Sequence, residues 1–118
     1  MKPLPDGTVP PHQPHCMGCG PDNPAGLRLR MRVLEDRVHG RVRFDRRHEG
    51  APGFVHGGAV ATALDELLGT VLLLVGRPAV TATLTVDFRA PLLLQRDVEL
   101  QAWCEGIDGR KVYLRGEA

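Results

Sequence analysis

Two runs of alternating apolar and polar residues stand in the first half of the chain. In residues 27–34 every second position is apolar and three arginines fill the gaps between them. Residues 38–44 repeat the alternation, with one side formed by Val38, Gly40, Val42 and Phe44. A period of two is typical of a strand with one buried face. Glu35-Asp36-Arg37 predicts a turn, so the two runs form a predicted hairpin.

The segment 57–75 has the pattern of a long helix. Its apolar residues cover more than one face, so we expect protein to enclose the helix rather than to touch one side of it. Gly76-Arg77-Pro78 predicts its end. Leu64, Leu67 and Leu68 define the predicted buried arc, which makes Glu66 the solvent-facing acid. Asp65 is then left at a position where a carboxylate is costly unless it is paired or faces a cavity.

The second half of the chain is rich in strand-forming residues. Segments 80–89, 97–105 and 110–115 alternate, and a turn at 107–109 separates the last two. With the hairpin and the helix, these segments predict an α+β fold in which one curved antiparallel β-sheet wraps around one long central helix.

Composition and charge limit the domain organisation and the classes of partner. Five prolines predict a flexible tail over residues 1–15, and residues 16–118 are predicted to form a single domain. The formal charge of +1 provides no broad field for nucleic acid or an anionic membrane. The N-terminus has no apolar signal-peptide run, and the uninterrupted apolar stretch 71–75 is too short to span a bilayer. We therefore expect a cytoplasmic protein with neither partner.

His56-Gly57-Gly58 leads directly into the predicted helix. The N–H groups of the two glycines then lie among the four unpaired donors of a helix N-terminus, where the helix dipole also favours negative charge. A thioester carbonyl that becomes an oxyanion would be stabilised there. A Gly-Gly pair can also serve only close helix packing, and the acid at Asp65 favours the catalytic alternative.

Three motifs together resemble the PaaI-like hotdog thioesterases: the His56-Gly57-Gly58 turn, Asp65 eight residues after Gly57, and Thr-Val-Asp-Phe-Arg-Ala-Pro at 85–91. The resemblance implies a hotdog fold and hydrolysis of an acyl-CoA, with no cofactor. It implies that Gly57 donates the oxyanion-hole N–H, that Asp65 is general base or nucleophile, and that His56 positions the turn. The family's sheet usually has one more strand than this sequence provides, so we expect a missing last strand or an exposed edge near 112–115.

Further site residues follow from the same alignment. Gly50 stands where some relatives place an Asn that holds the lytic water, and Thr81 matches a hydroxyl residue that assists the carboxylate. Arg89 is the candidate for the CoA phosphates. The depth of the acyl pocket is expected to depend on Phe54, Leu64 and Leu68.

The spacing of Gly57 and Asp65 predicts an oligomer. Eight residues of helix span about 12 Å, too far for one carbonyl to reach both groups easily. We therefore expect a homodimer with shared active sites, in which antiparallel helices bring Gly57 of one chain beside Asp65 of the other. The family resemblance also implies further pairing into tetramers. The alternatives are a non-catalytic acyl-CoA-binding hotdog protein and a hotdog dehydratase or hydratase, although no paired His and Asp motif surrounds His56.

Cys16 and Cys19 have the spacing of a metal knuckle, and His12 and His15 could complete a four-ligand zinc site. There is no second CxxC, and the proline-rich segment would have to fold around the ion. Zinc, a disulfide and a plain turn are the three alternatives, of which we favour the plain turn.

Overall fold

The computed structural model describes residues 2–118, and its secondary structure forms one antiparallel sheet and one long helix. The helix is α1, Gly57–Val75, and a 3₁₀ turn at Arg46–His48 precedes it. The strands are β1 (Thr8–Val9), β2 (Arg30–Leu34), β3 (Arg37–Arg43), β4 (Asp97–Asp108) and β5 (Lys111–Glu117). Their order in the sheet is β1-β2-β3-β4-β5. The predicted α+β hotdog architecture is confirmed.

The core lies between the sheet and one stripe of α1. Ala63, Leu67 and Val71 are spaced by four residues, so they share one side of the helix, and each is fully buried. They pack against the inward face of the sheet. A Cβ atom at Gly40 of β3 would lie 2.9 Å from Leu67 Cδ1, so the missing side chain allows the helix to approach the sheet closely.

The boundaries of α1 agree with those of the predicted helix. In the single chain, however, the helix is not enclosed by protein on more than one side. His56 is the N-cap, and Gly76 ends the helix in the left-handed conformation at φ 74°. Outside the buried stripe, most of its side chains are half-buried or exposed. By length and composition α1 could also cross a membrane, although core helices of globular domains meet the same criterion. Within one chain, the sheet covers only one side of α1.

The predicted strand at 80–89 is not a strand in this structure. Among the residues described, those from 79 to 91 make no backbone ladder, and Val80 is 93% exposed. The segment passes back beside α1, but no strand lies next to it. A β-strand needs a neighbour for its backbone N–H and C=O groups, so the alternating pattern alone does not produce one.

Part of the predicted N-terminal tail belongs to the sheet. Met1 lies outside the described residues, but Thr8 pairs with Arg32 and Val9 with Met31. Val9 is buried in the core. The prolines around Thr8–Val9 limit β1 to two residues, since proline has no N–H for a ladder.

Candidate active site

The N-terminus of α1 is capped by the side chain of His56. Gly58 N–H donates to His56 Nδ1 at 2.8 Å. The N–H groups of Ala59 and Val60 both donate to the carbonyl oxygen of His56, at 2.9 and 3.2 Å. Of the four N–H groups of the first turn, only that of Gly57 has no acceptor among the residues described. The His56 cap therefore occupies the Gly58 N–H, and the Gly57 N–H remains available to donate to a ligand.

The ring of Phe88 lies beside this donor. A Cβ atom at residue 57 would be 3.3 Å from Phe88 Cζ, so a glycine leaves the ring free to approach the helix end. Phe88 is 61% exposed. The sequence interpretation did not assign this residue to the site, although it stands inside the Thr-Val-Asp-Phe-Arg-Ala-Pro motif.

Asp65 is held by a hydroxyl from the segment after the helix. Thr81 Oγ1 donates a hydrogen bond of 2.7 Å to Asp65 Oδ1. The other carboxylate oxygen has no hydrogen-bond partner among residues 2–118. In the single chain Asp65 is half-buried rather than buried, because α1 is open on this side. The carboxylate is thus oriented by Thr81 and accessible to a ligand.

These groups face one open groove of about 2280 Å³. Helix α1 forms its floor, and β5 and residues 78–92 form its sides. The groove brings together six of the predicted site residues: Gly57, Leu64, Asp65, Leu68, Thr81 and Arg89. His56 and Gly58 act in the cap behind it. Phe54 does not line the groove of the single chain and instead forms a backbone bridge with Leu93, so its place in an acyl pocket of the assembled protein stays a prediction.

Basic side chains stand on both sides of the groove. Arg89 lines it from the segment after α1, and Arg110, Lys111 and Arg115 line it from the β5 side. Arg110 and Lys111 were not among the site residues predicted from the sequence. Arg47 is less available to bind a phosphate, because its guanidinium donates to Asp45 at 2.8 Å. This hydrogen bond holds the pKa of the Asp45 carboxyl at about 2.

Comparison with known protein families identifies the superfamily of the chain. A family model described as the thioesterase superfamily matches residues 52–118, more than half of the sequence and the part that contains Gly57, Asp65 and Thr81. The chain belongs to the thioesterase superfamily.

Curated relatives are similar over about half of the chain. The chain is 42% identical over 65 residues to acyl-coenzyme A thioesterase THEM4 of Xenopus laevis, which is 55% of this chain and 29% of that protein. It is 39% identical over 66 residues to THEM4 of Mus musculus, which is 56% of this chain and 28% of that protein. The match therefore spans less than a third of the length of either relative.

Solved structures are similar over more of the chain. A crystal structure of a thioesterase superfamily protein has a TM-score of 0.82 at 32% identity, over 87% of this chain and 54% of the other. Zebra fish thioesterase superfamily member 2 has a TM-score of 0.61 at 15% identity, over 75% of this chain and 76% of the other, and supports the fold alone.

Gly50 has no room for the asparagine that some members of the superfamily place upstream of the glycine turn. A Cβ atom there would lie 2.9 Å from His56 Cα. The loop is held in this position by His56 N–H, which donates to the carbonyl oxygen of His48 at 2.8 Å. A side chain at residue 50 therefore cannot position the lytic water without movement of the cap.

The prediction that Glu66 faces solvent is wrong. Its side chain is only 18% exposed and lies against the segment between β1 and β2. There it belongs to a group of four side chains that we call the thiol cluster: His12, Cys16, Cys19 and Glu66. Sequence spacing could not show this contact, because 50 residues separate Glu66 from Cys16.

Cys19 of the thiol cluster is not suited to act as the nucleophile of this thioesterase superfamily member. Burial raises the pKa of the Cys19 thiol to about 12, and a hydrogen bond with Glu66 acts in the same direction. Unless a metal ion binds it, a thiol with such a pKa is protonated at neutral pH, and the thiolate is the nucleophilic form. Asp65, which lines the groove and is held by Thr81 through one carboxylate oxygen, is the candidate for the catalytic group.

Proposed function

We propose that the chain is a cytoplasmic, PaaI-like acyl-CoA thioesterase, which hydrolyses the thioester to a carboxylic acid and free CoA. One observation carries the proposal: the unpaired Gly57 N–H and the Thr81-bound carboxylate of Asp65 face the same groove. The curated relatives carry the name acyl-coenzyme A thioesterase, which supports the same activity.

The Gly57 N–H supplies the electrophilic half of the reaction. As nucleophile and thioester carbon form a bond, the carbonyl oxygen gains negative charge. A preorganised donor at a helix N-terminus stabilises that charge, and the loss of one such donor costs about 3 to 4 kcal/mol where it has been measured. The hydrogen bond from Gly58 to His56 fixes the turn, so the donor does not have to reorient during the reaction.

Asp65 supplies the nucleophilic half by one of two routes. As a general base it takes a proton from water while the oxygen attacks the thioester carbon, and the CoA thiolate leaves and is then protonated. As a nucleophile its carboxylate displaces the thiolate to form an anhydride, which water then hydrolyses. Both routes need an ionised carboxylate with an open oxygen. The Thr81 bond leaves such an oxygen on Asp65.

The groove offers a division between acyl and CoA binding. Leu64 and Leu68 provide an apolar floor for the acyl chain beside Asp65. Arg89 provides positive charge for the CoA phosphates on a protein whose net charge is only +1. The proposed reaction uses the Gly57 N–H, the Asp65 carboxylate and water, and no cofactor.

The proposed enzyme is a homodimer with shared sites, which can pair further into tetramers. The axial separation of about 12 Å between Gly57 and Asp65 is the first support. The second is the exposed apolar surface beside α1, where Val80 is 93% and Phe88 61% exposed. Exposed apolar patches of this kind mark protein interfaces. A second copy with its helix antiparallel would cover them and place each Gly57 near the other chain's Asp65.

The activity is tested by thiol release from a panel of short, long and aromatic acyl-CoAs, followed with a thiol reagent. The wild-type chain is expected to release CoA from at least one of them. Asp65→Asn keeps the shape of the side chain but can neither accept the proton nor attack, so turnover should fall by a factor of about a hundred or more. Acyl-CoA binding should persist.

The matched control is Asp36→Asn, an exposed acid in the turn between β2 and β3. It makes the same chemical change away from the groove and should leave turnover unaltered. If Asp65→Asn kept more than about a tenth of the wild-type rate, Asp65 would not be the base or nucleophile. Binding without release across the whole panel would instead indicate a non-catalytic acyl-CoA-binding protein.

A further inference from the structure

The thiol cluster joins residues 12–19, here called the N-terminal segment, to the middle of α1. Its four side chains come from both sides of this contact, since only Glu66 belongs to the helix. Cys19 is 4% exposed, whereas His12 stands at the rim with 46% of its side chain exposed. The four ligand atoms lie within 4.8 Å of one another.

Three of the six distances between ligand atoms in the thiol cluster are close to those of a tetrahedral metal site. Typical Zn–S, Zn–N and Zn–O bonds place the ligand atoms about 3.3 to 3.8 Å apart. In this structure His12 Nδ1 lies 3.2 Å from Cys19 Sγ and 3.4 Å from Glu66 Oε1. Cys16 Sγ lies 3.5 Å from the same carboxylate oxygen.

We propose that the thiol cluster binds one Zn²⁺ ion, with two thiolates, one imidazole and one carboxylate as ligands. Thiolate and imidazole together are the donors that favour zinc over the harder cations. Four protein ligands leave no open coordination position, so the ion is structural rather than catalytic. It fixes the N-terminal segment to α1 one residue from Asp65.

Gly18 makes this arrangement possible. A Cβ atom at residue 18 would lie 2.6 Å from Glu66 Cγ and 2.7 Å from its Cβ. The glycine between the two cysteines therefore lets the helix carboxylate lie directly against the CxxC turn. In the proposed site, His12 and Glu66 complete the set of four ligands begun by Cys16 and Cys19. Neither a second CxxC motif nor His15 is needed.

The test is metal binding by the full chain, purified without chelator and with its thiols reduced. The metal is removed, and Co²⁺ is added as a spectroscopic probe for zinc. We expect one Co²⁺ per chain, with the strong visible absorption of tetrahedral Co²⁺ and a thiolate-to-metal charge-transfer band. Zn²⁺ should displace it. Elemental analysis of the untreated protein should find zinc at about one equivalent per chain.

Single substitutions distinguish this site from the alternatives. His12→Ala and Glu66→Gln should each weaken Co²⁺ binding more than about a hundredfold, since changes to residues that merely support metal ligands already cost tenfold to a hundredfold. His12 is half-exposed, so its variant should fold even if that of Cys19 does not. The matched controls are His15→Ala and Cys104→Ser, which alter the same residue types outside the cluster and should bind normally.

Three results would overturn the proposal. The reduced wild-type chain could bind neither metal stoichiometrically, with all its thiols titrating as free. The protein could be isolated with a Cys16–Cys19 disulfide and no metal. Lastly, His12→Ala and Glu66→Gln could bind Co²⁺ as tightly as the wild type, which would place the ion elsewhere. None of these outcomes depends on whether the chain hydrolyses acyl-CoA.

Discussion

At the scale of single residues, Thr81 provides a direct test of how the carboxylate is held. Thr81→Val removes the hydroxyl that donates to Asp65 but keeps the branched shape of the side chain. We expect kcat for acyl-CoA hydrolysis to fall about tenfold, equivalent to about 1.4 kcal/mol, because Asp65 loses its orientation. Steady-state kinetics would measure this fall, and KM should change little.

Two further variants control for a structural effect at this position. Thr81→Ser keeps the hydroxyl and should retain most of the activity. Thr83→Val makes the same change at an exposed threonine without a bond to Asp65 and should be neutral. Equal losses in Thr81→Val and Thr83→Val would show that the segment, and not its hydrogen bond, determines the rate.

Residue roles were predictable where they depend on nearby sequence. His56, Gly57 and Gly58 sit at a helix start, so the unpaired donors there follow from helix geometry. Sequence alone could not show that the His56 side chain accepts a hydrogen bond from the Gly58 N–H and not from the Gly57 N–H, because this depends on the side-chain rotamer of His56. Glu66 was misassigned because its contacts come from the N-terminal segment, far away in the chain.

At the scale of elements, the packing of α1 on β3 depends on Gly40. Gly40→Ala would place a Cβ 2.9 Å from Leu67 and 3.2 Å from Leu29, both buried. We expect a loss of about 1 to 3 kcal/mol in the free energy of unfolding, as for other overpacked cores. Gly106→Ala is the control, because no atom lies within 4 Å of a Cβ there. If chemical denaturation found both variants equally stable, the helix would not press on the sheet at Gly40.

The elements were predictable to the extent that their hydrogen bonds are local. Helix α1 satisfies its own backbone, and its bounds followed from the cap, the apolar run and Gly76. The hairpin of β2 and β3 followed from two alternating runs and a short turn. Residues 80–89 alternate just as clearly, but a strand depends on a neighbour that this chain does not place beside them.

At the scale of the whole molecule, the proposed dimer would complete a site of which each chain supplies half. The groove beside α1 is open, and Val80 and Phe88 expose apolar surface along it. The shared site stays a prediction, and helix rise alone suggests it, since about 12 Å separates Gly57 from Asp65. Sequence could not indicate which surface would meet a second copy, because that surface is defined only after the chain has folded.

The most direct measurement mixes two inactive variants, Asp65→Asn and Gly57→Pro. Proline has no N–H to donate, yet it is tolerated at the first position of a helix, and the extended backbone of His56 suits the residue before a proline. Each variant alone should be inactive. Unfolded and refolded together, they should form about half mixed dimers, each with one intact site of two.

If the sites are shared, this mixture should regain about a quarter of the wild-type rate of CoA release from an acyl-CoA that the wild type hydrolyses. Mass spectrometry of the native assemblies would verify that mixed dimers are present. A mixture that contains mixed dimers and remains inactive would contradict the account, because Gly57 and Asp65 would then have to act within one chain.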